Sequence, residues 1–135
     1  MLYILLSYFE MISKFEAGSS SGKSGVWFRK GLEAVFPDIT SHSERADILA
    51  QVWKGARCGL YHAAMTGTKV FISKDVSGIF YDSECGCIFV NPSDLIDGVT
   101  THFDHYIARL RDPTQVVLRK NFVKKFDQEI LTQMV

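Results

Sequence analysis

The chain has 135 residues, with 15 basic and 15 acidic side chains and a formal net charge of zero; this is enough for one domain, residues 1–135, with a real core and no staples. A balanced charge excludes a global field that would draw the molecule onto nucleic acid or an anionic membrane, so any such contact has to come from a local patch. Three cysteines, an odd number, argue against a disulfide framework, and Cys85-Gly86-Cys87 is too closely spaced for an easy bridge; a reducing cytoplasm is the expected compartment.

The opening MLYILLSYF is apolar, but Glu10 interrupts it well short of the ~20 residues that a bilayer span requires, and it has neither a basic leader nor a clear small-residue cleavage site. The expectation is a buried first helix over 2–16, with Leu2, Leu5, Leu6, Phe9 and Ile12 inward, and no membrane. Ala17 to Ser24, AGSSSGKS, formally matches a loose phosphate-binding loop. That loop works only between a strand and a helix, and here a helix precedes it, so the stretch reads as a flexible connector. Residues 26–36 form a second helix with Trp27, Leu32 and Val35 inward, ended by Pro37-Asp38.

Ser41 to Met65 reads as one long amphipathic helix, with Leu49, Val52, Trp53, Ala56, Leu60 and Ala63 on one face and Gly67 as its stop. Ser41 followed by Glu44 is a capping-box spacing. Near the far end, Arg57 and His62 are the candidate catalytic residues. A guanidinium is a planar fork matched to phosphate oxygens, and an imidazole with a free pKa of ~6.5 passes protons near neutral pH. On a straight helix the two stand about 140° apart around the axis and ~7.5 Å apart along it, so convergence needs a bend at Gly59 or a second copy of the chain.

From Lys69 to Val90 the runs Val70-Phe71-Ile72, Ile79-Phe80-Tyr81 and Cys87-Ile88-Phe89-Val90 predict a small antiparallel sheet inserted into a helical protein, with Cys85 and Cys87 at a turn. Asn91 as N-cap and Pro92 at the first helical position then open a helix to about Arg111, with Leu95, Val99, Phe103, Tyr106 and Leu110 inward. His102, Asp104 and His105 lie on it without a partner motif elsewhere, so no metal is expected. Asp112-Pro113 caps a last helix in which Leu118, Phe122, Phe126 and Ile130 recur every fourth residue. Its outer side carries Arg119, Lys120, Lys124 and Lys125, downstream of Arg109 and Arg111, a basic patch able to track an RNA backbone.

The order of elements and the phrases Arg57-Cys58-Gly59-Leu60-Tyr61-His62 and Val90-Asn91-Pro92-Ser93-Asp94-Leu95 resemble uncharacterised bacterial members of the HEPN superfamily of helical-bundle domains. The family motif, Arg, four to six residues, then His, maps onto Arg57 and His62. The resemblance implies a mainly α, four- to five-helix bundle that dimerises and sets two Arg/His pairs across a common cleft. It also implies metal-independent RNA cleavage without a cofactor, in which the ribose 2′-hydroxyl attacks its own phosphate, His62 transfers a proton and Arg57 stabilises the charge on the phosphoryl oxygens. Cys58 stands where active members often carry Asn, Asp or His, and Cys58 and Tyr61 are the supporting candidates. Such proteins are commonly toxins or parts of antiviral defence systems, so an antitoxin or another protein is an implied partner beside RNA. The alternative is a non-catalytic dimeric module that binds RNA, nucleotide or a partner protein.

Overall fold

The computed structural model describes residues 2–59, 67 and 69–134. It is mainly helical, with a small three-stranded sheet. Leu6, Phe9 and Ile12 of α1 (Leu2–Ala17) are buried at the spacing of one helical face. Against them packs α2 (Ser24–Val35), which buries Trp27, Phe28 and Leu32. The two helices touch backbone to backbone at Gly31, where an added Cβ would fall 1.8 Å from the Phe9 carbonyl oxygen. That approach sets Phe9 edge-on to Phe28, ring centroids 5.6 Å apart, and lets the buried Ser13 hydroxyl donate to the Trp27 carbonyl at 2.6 Å.

Gly18 ends α1 at φ +62°, and Ser19 N–H reaches back to the Lys14 carbonyl, the bonding of a Schellman turn. The loop that follows is held in place, contrary to its reading as a flexible connector. Trp27 Nε1 donates to the Ser21 carbonyl, and Ser20 Oγ accepts from Lys125.

The long helix predicted over Ser41–Met65 is divided. A 3-10 turn, Pro37–Ser41, is followed by α3 (Arg45–Gln51) and then by a π-helical turn, Val52–Cys58. The capping box does not form: Ser41 belongs to the preceding turn, where its hydroxyl donates to the Asp38 carbonyl, and Glu44 precedes α3 without a side-chain cap. Leu49, Val52 and Ala56 are buried as their spacing predicted, together with Ile48. The wide turn coincides with a backbone crossing at which Gly67 N–H donates to the Gly55 carbonyl at 2.8 Å, and a Cβ on Gly55 would meet Val70 Cγ2. Leu60, Tyr61, His62, Ala63 and Met65 lie outside the described residues.

Strands β1 (Val70–Ile72), β2 (Ile79–Asp82) and β3 (Cys87–Val90) form where the apolar runs predicted, but the sheet is mixed rather than antiparallel. Its order is β1-β3-β2; β3 runs parallel to β1, with Val70 opposite Ile88, and antiparallel to β2, with Phe80 opposite Phe89. Val70, Ile88 and Val90 face the core. Cys85 and Cys87 are joined as a disulfide, against the expectation of free thiols. The β2–β3 turn, with Gly86 at φ +62°, brings their Cα atoms to 5.2 Å, inside the window of about 4.4–6.8 Å that a bridge needs.

Asn91 caps α4 (Pro92–Arg111) as predicted: its Oδ1 accepts from Ser93 N–H, while its amide donates to the Lys74 and Val76 carbonyls and so fastens the helix start to the loop after β1. Leu95 and Tyr106 are buried, whereas Phe103 is exposed. Asp112 takes the Thr114 N–H and hydroxyl and closes α4 instead of capping α5 (Val116–Gln133). Leu118 and Phe122 pack inward as predicted, Phe122 against Phe15 of α1. Phe126 and Ile130, predicted inward, are exposed, and Lys125, predicted outward, is buried. No helix among the described residues is long and apolar enough to cross a membrane.

Candidate functional site

The π-helical turn carries Arg57 to the rim of α1, so the 100° geometry of a straight helix does not apply at this residue. Its guanidinium lies 5.5 Å from the ring centre of Tyr3 and 5.8 Å from that of Trp53, and its Nη2 stands 3.7 Å from Glu10 Oε2. Two aromatic rings on a cation restrict the arginine to few rotamers without neutralising it. Glu10 is the hub of the cluster: Oε1 accepts from Lys14 Nζ at 2.6 Å and from Ser24 Oγ at 2.8 Å. Burial raises the Glu10 pKa, but the hydrogen bonds from Lys14 and Ser24 and the charges of Lys14 and Arg57 outweigh it and hold the carboxyl below its usual range.

Around this cluster lies a cleft of about 460 Å³, lined among others by Ser7, Met11, Lys14, Arg57, Lys125 and Glu129. Lys125 reaches it from the buried side of α5, paired with Glu129 and bonded to Ser20, with Phe15 beneath its ammonium. Three cations and two carboxylates therefore share one concavity assembled from α1, the π turn and α5. Chemically, it can hold an anion by exchanging Glu10 for an incoming oxygen on Arg57 and Lys14. The Arg57–Glu10 contact is the looser of the two that Glu10 makes with cations.

Comparison of the chain with family models, with curated proteins and with solved structures found no match.

Cys58 is half-buried with a free thiol. Tyr61 and His62 lie outside the described residues, so the distance from Arg57 to His62 is not part of this geometry. Of the four RNA-binding candidates, Arg119, Lys120 and Lys124 line a shallow groove of about 530 Å³ with Pro113, Val116 and Val123 on the outer side of α5. Lys125 does not belong to that patch, because at five positions beyond Lys120 it has turned about 140° around the helix into the Arg57 cleft. The basic patch and the cleft thus sit on opposite sides of α5. His102 accepts a structural role: its Nδ1 is 2.9 Å from the Tyr8 hydroxyl, and burial lowers its pKa. Among the described residues no group of His, Cys, Asp and Glu side chains is disposed to hold a metal ion.

Glu10, Lys14, Tyr3 and Trp53 are site residues that sequence reasoning passed over. Two signals pointed to them: a glutamate breaking an apolar helix, and an aromatic residue four positions before the candidate arginine.

Proposed function

We propose that this chain binds a phosphodiester at Arg57 and cleaves RNA without a metal, with His62 as the proton-transfer group, in the manner implied by its resemblance to the HEPN superfamily. The observation that carries the reading is Arg57 itself, held between two aromatic rings at the wall of a cleft large enough for a nucleotide phosphate. In the reaction the ribose 2′-hydroxyl gives up its proton to solvent water and O2′ forms a bond to phosphorus as the P–O5′ bond breaks. Arg57 takes the charge gathering on the non-bridging oxygens, and His62 supplies a proton to the departing O5′. Lys14 adds a second positive charge on the same wall.

A second reading is favoured by Glu10, which places a counter-ion of the chain's own beside the arginine. In this reading the cleft holds RNA, a nucleotide or an acidic partner and performs no chemistry. The two separate on one assay, in which the protein is incubated with structured RNA in excess EDTA beside Arg57→Ala, Arg57→Lys and His62→Ala. The ribonuclease reading expects ends bearing a cyclic phosphate and a drop in rate of about 10²-fold or more in both alanine variants, with Arg57→Lys between. Cutting that survives either alanine substitution refutes it, and RNA retention without cutting establishes the second reading.

A further inference from the structure

The Cys85–Cys87 bridge has no part in the cleft around Arg57, and its place in the chain lets it contribute little to the fold. It spans a sequence separation of 2, and the stabilisation that a cross-link draws from closing a loop shrinks with the loop. The β2–β3 pairing that it adjoins is already made by the backbone, with Asp82 opposite Cys87. Cys85 is exposed at the turn, whereas Cys87 is half-buried in β3. An exposed disulfide that fastens no distant parts of the chain is of the kind that exchanges with thiols.

The surroundings give that exchange a direction and a substrate. Ile88 N–H donates to the Lys69 carbonyl at 2.7 Å, which sets Lys69 beside Cys87 at the start of the β1–β3 pair, and a Cβ built on Gly86 would lie 3.6 Å from Lys69 Nζ and 3.7 Å from the Tyr81 hydroxyl. An ammonium so placed favours the thiolate form of a sulfur released beside it. Asp82, on the other side of Cys87, opposes it, with one carboxylate oxygen taken by Glu84 N–H. Lys69 also lines a cleft of about 350 Å³, in which the other ionisable residue among the described ones is Lys54. Gln51, from the end of α3, lines the same cleft, and its Nε2 donates to the Gly86 carbonyl at 2.9 Å, so the wall of the cleft is tied to the turn that carries the bridge.

We propose that the Cys85–Cys87 bridge is a thiol–disulfide exchange site whose substrate is a small thiol bearing a carboxylate, held by Lys54 and Lys69 in the adjoining cleft. The substrate thiolate attacks Cys85 Sγ. A new S–S bond forms there as the Cys85–Cys87 bond breaks, and Cys87 Sγ leaves with the electron pair, beside Lys69. A second substrate thiolate attacks the substrate sulfur of this mixed disulfide and releases the substrate's own disulfide together with the Cys85 thiolate. Two substrate thiols are thereby oxidised and one protein disulfide is reduced, and the two protons that the substrate loses pass through water to Cys85 and Cys87. The bridge and its cleft share no residue with the Arg57 cleft, so the proposal stands whether or not the chain cuts RNA.

Trypsin releases Cys85 and Cys87 in one peptide, residues 75–109, and Cys58 in another, so acid quenching and alkylation followed by mass spectrometry read this bridge alone. The folded protein, first oxidised with oxidised glutathione, is mixed with 3-mercaptopropionate or with 2-mercaptoethanol, and far-UV circular dichroism checks that each variant keeps its helices. At ~5 mM thiol and neutral pH the bridge is expected to open without denaturant, within minutes, through a mixed disulfide on Cys85. The two thiols differ in intrinsic reactivity, so the cleft is read from the ratio of their rates. Lys54→Met is expected to lower the ratio of the 3-mercaptopropionate rate to the 2-mercaptoethanol rate about threefold or more, and Lys69→Met to slow both thiols about fivefold or more. Lys54 and Lys69 are exposed, and neither substitution reaches the core. Cysteines that do not bridge in oxidised glutathione overturn the proposal, and so does a bridge that resists both thiols until denaturant is added. A mixed disulfide on Cys87, a ratio indifferent to Lys54→Met, or rates indifferent to Lys69→Met overturn it as well.

Discussion

Gly31→Ala is the substitution on which the packing argument is most exposed. In an ordinary helix interior, alanine is favoured over glycine by up to about 1 kcal/mol, so propensity alone predicts a more stable protein. The structure predicts the reverse. The new Cβ falls 1.8 Å from the Phe9 carbonyl oxygen, 2.5 Å from its carbon and 2.8 Å from its Cα. All three are backbone atoms that no rotamer change moves aside. Restoring contact requires α1 and α2 to part by roughly 1.2 Å at their crossing, which in a close-packed interior loosens Phe9 against Phe28 and stretches the Ser13–Trp27 bond. Overpacking of about 3 kcal/mol or more, less the propensity gain, leaves a net loss of about 2–4 kcal/mol. For a chain of this length that is a fall in Tm of about 10 °C. Urea unfolding followed by circular dichroism measures it, with Gly98→Ala as the contrast. There the added Cβ meets the far end of the Phe36 ring and a Val35 methyl, side-chain atoms that give way more readily than backbone, and the loss is expected to be smaller than that of Gly31→Ala. A Gly31→Ala protein as stable as the parent, or more so, refutes the α1–α2 contact.

Asn91→Ala removes a cap and strands the Lys74 and Val76 carbonyls at once; a loss of about 2 kcal/mol is expected by the same unfolding assay. His102 has a folded pKa lowered first by burial, so its neutral form is the one that the fold favours. Its contribution is then fully present above the unfolded value of about 6.5 and is lost as pH falls from there. Unfolding free energies at neutral and mildly acidic pH should therefore fall more steeply in the parent than in His102→Gln, and equal slopes would contradict the assignment. Lys125→Met replaces a buried ammonium by an apolar chain of similar length and should shift stability by about 1 kcal/mol or less, whereas Lys125→Ala, which also opens a cavity, should cost about 2 kcal/mol or more. If RNA binds, Lys120→Ala and Lys124→Ala should each reduce the salt dependence of binding by about one charge.

The elements that the sequence disclosed are those held together by neighbours in the chain. Leu6, Phe9 and Ile12 share a face because of the helical period alone, and the Asn91-Pro92 start is a bond between residues two apart together with a proline that needs no donor. Arg57 could be picked out as a cation near the end of an amphipathic segment. Where two local signals competed, the reading failed. Ser41 carried a capping spacing, but Pro37 had already begun a 3-10 turn that took its hydroxyl.

What the tertiary structure decided has one physical cause, contact between residues far apart in the chain. Alternation within Val70–Ile72 is the same whether its partner runs parallel or antiparallel, so only the placing of β3 between β1 and β2 made the sheet mixed. Lys125 sits at the boundary between the two faces of its helix, and its burial depended on Ser20 and Phe15, more than a hundred residues away. The partnership of Glu10 with Arg57 spans α1 and the π turn. No spacing rule carries information about it, because the chain folds back on itself before the carboxylate and the guanidinium meet.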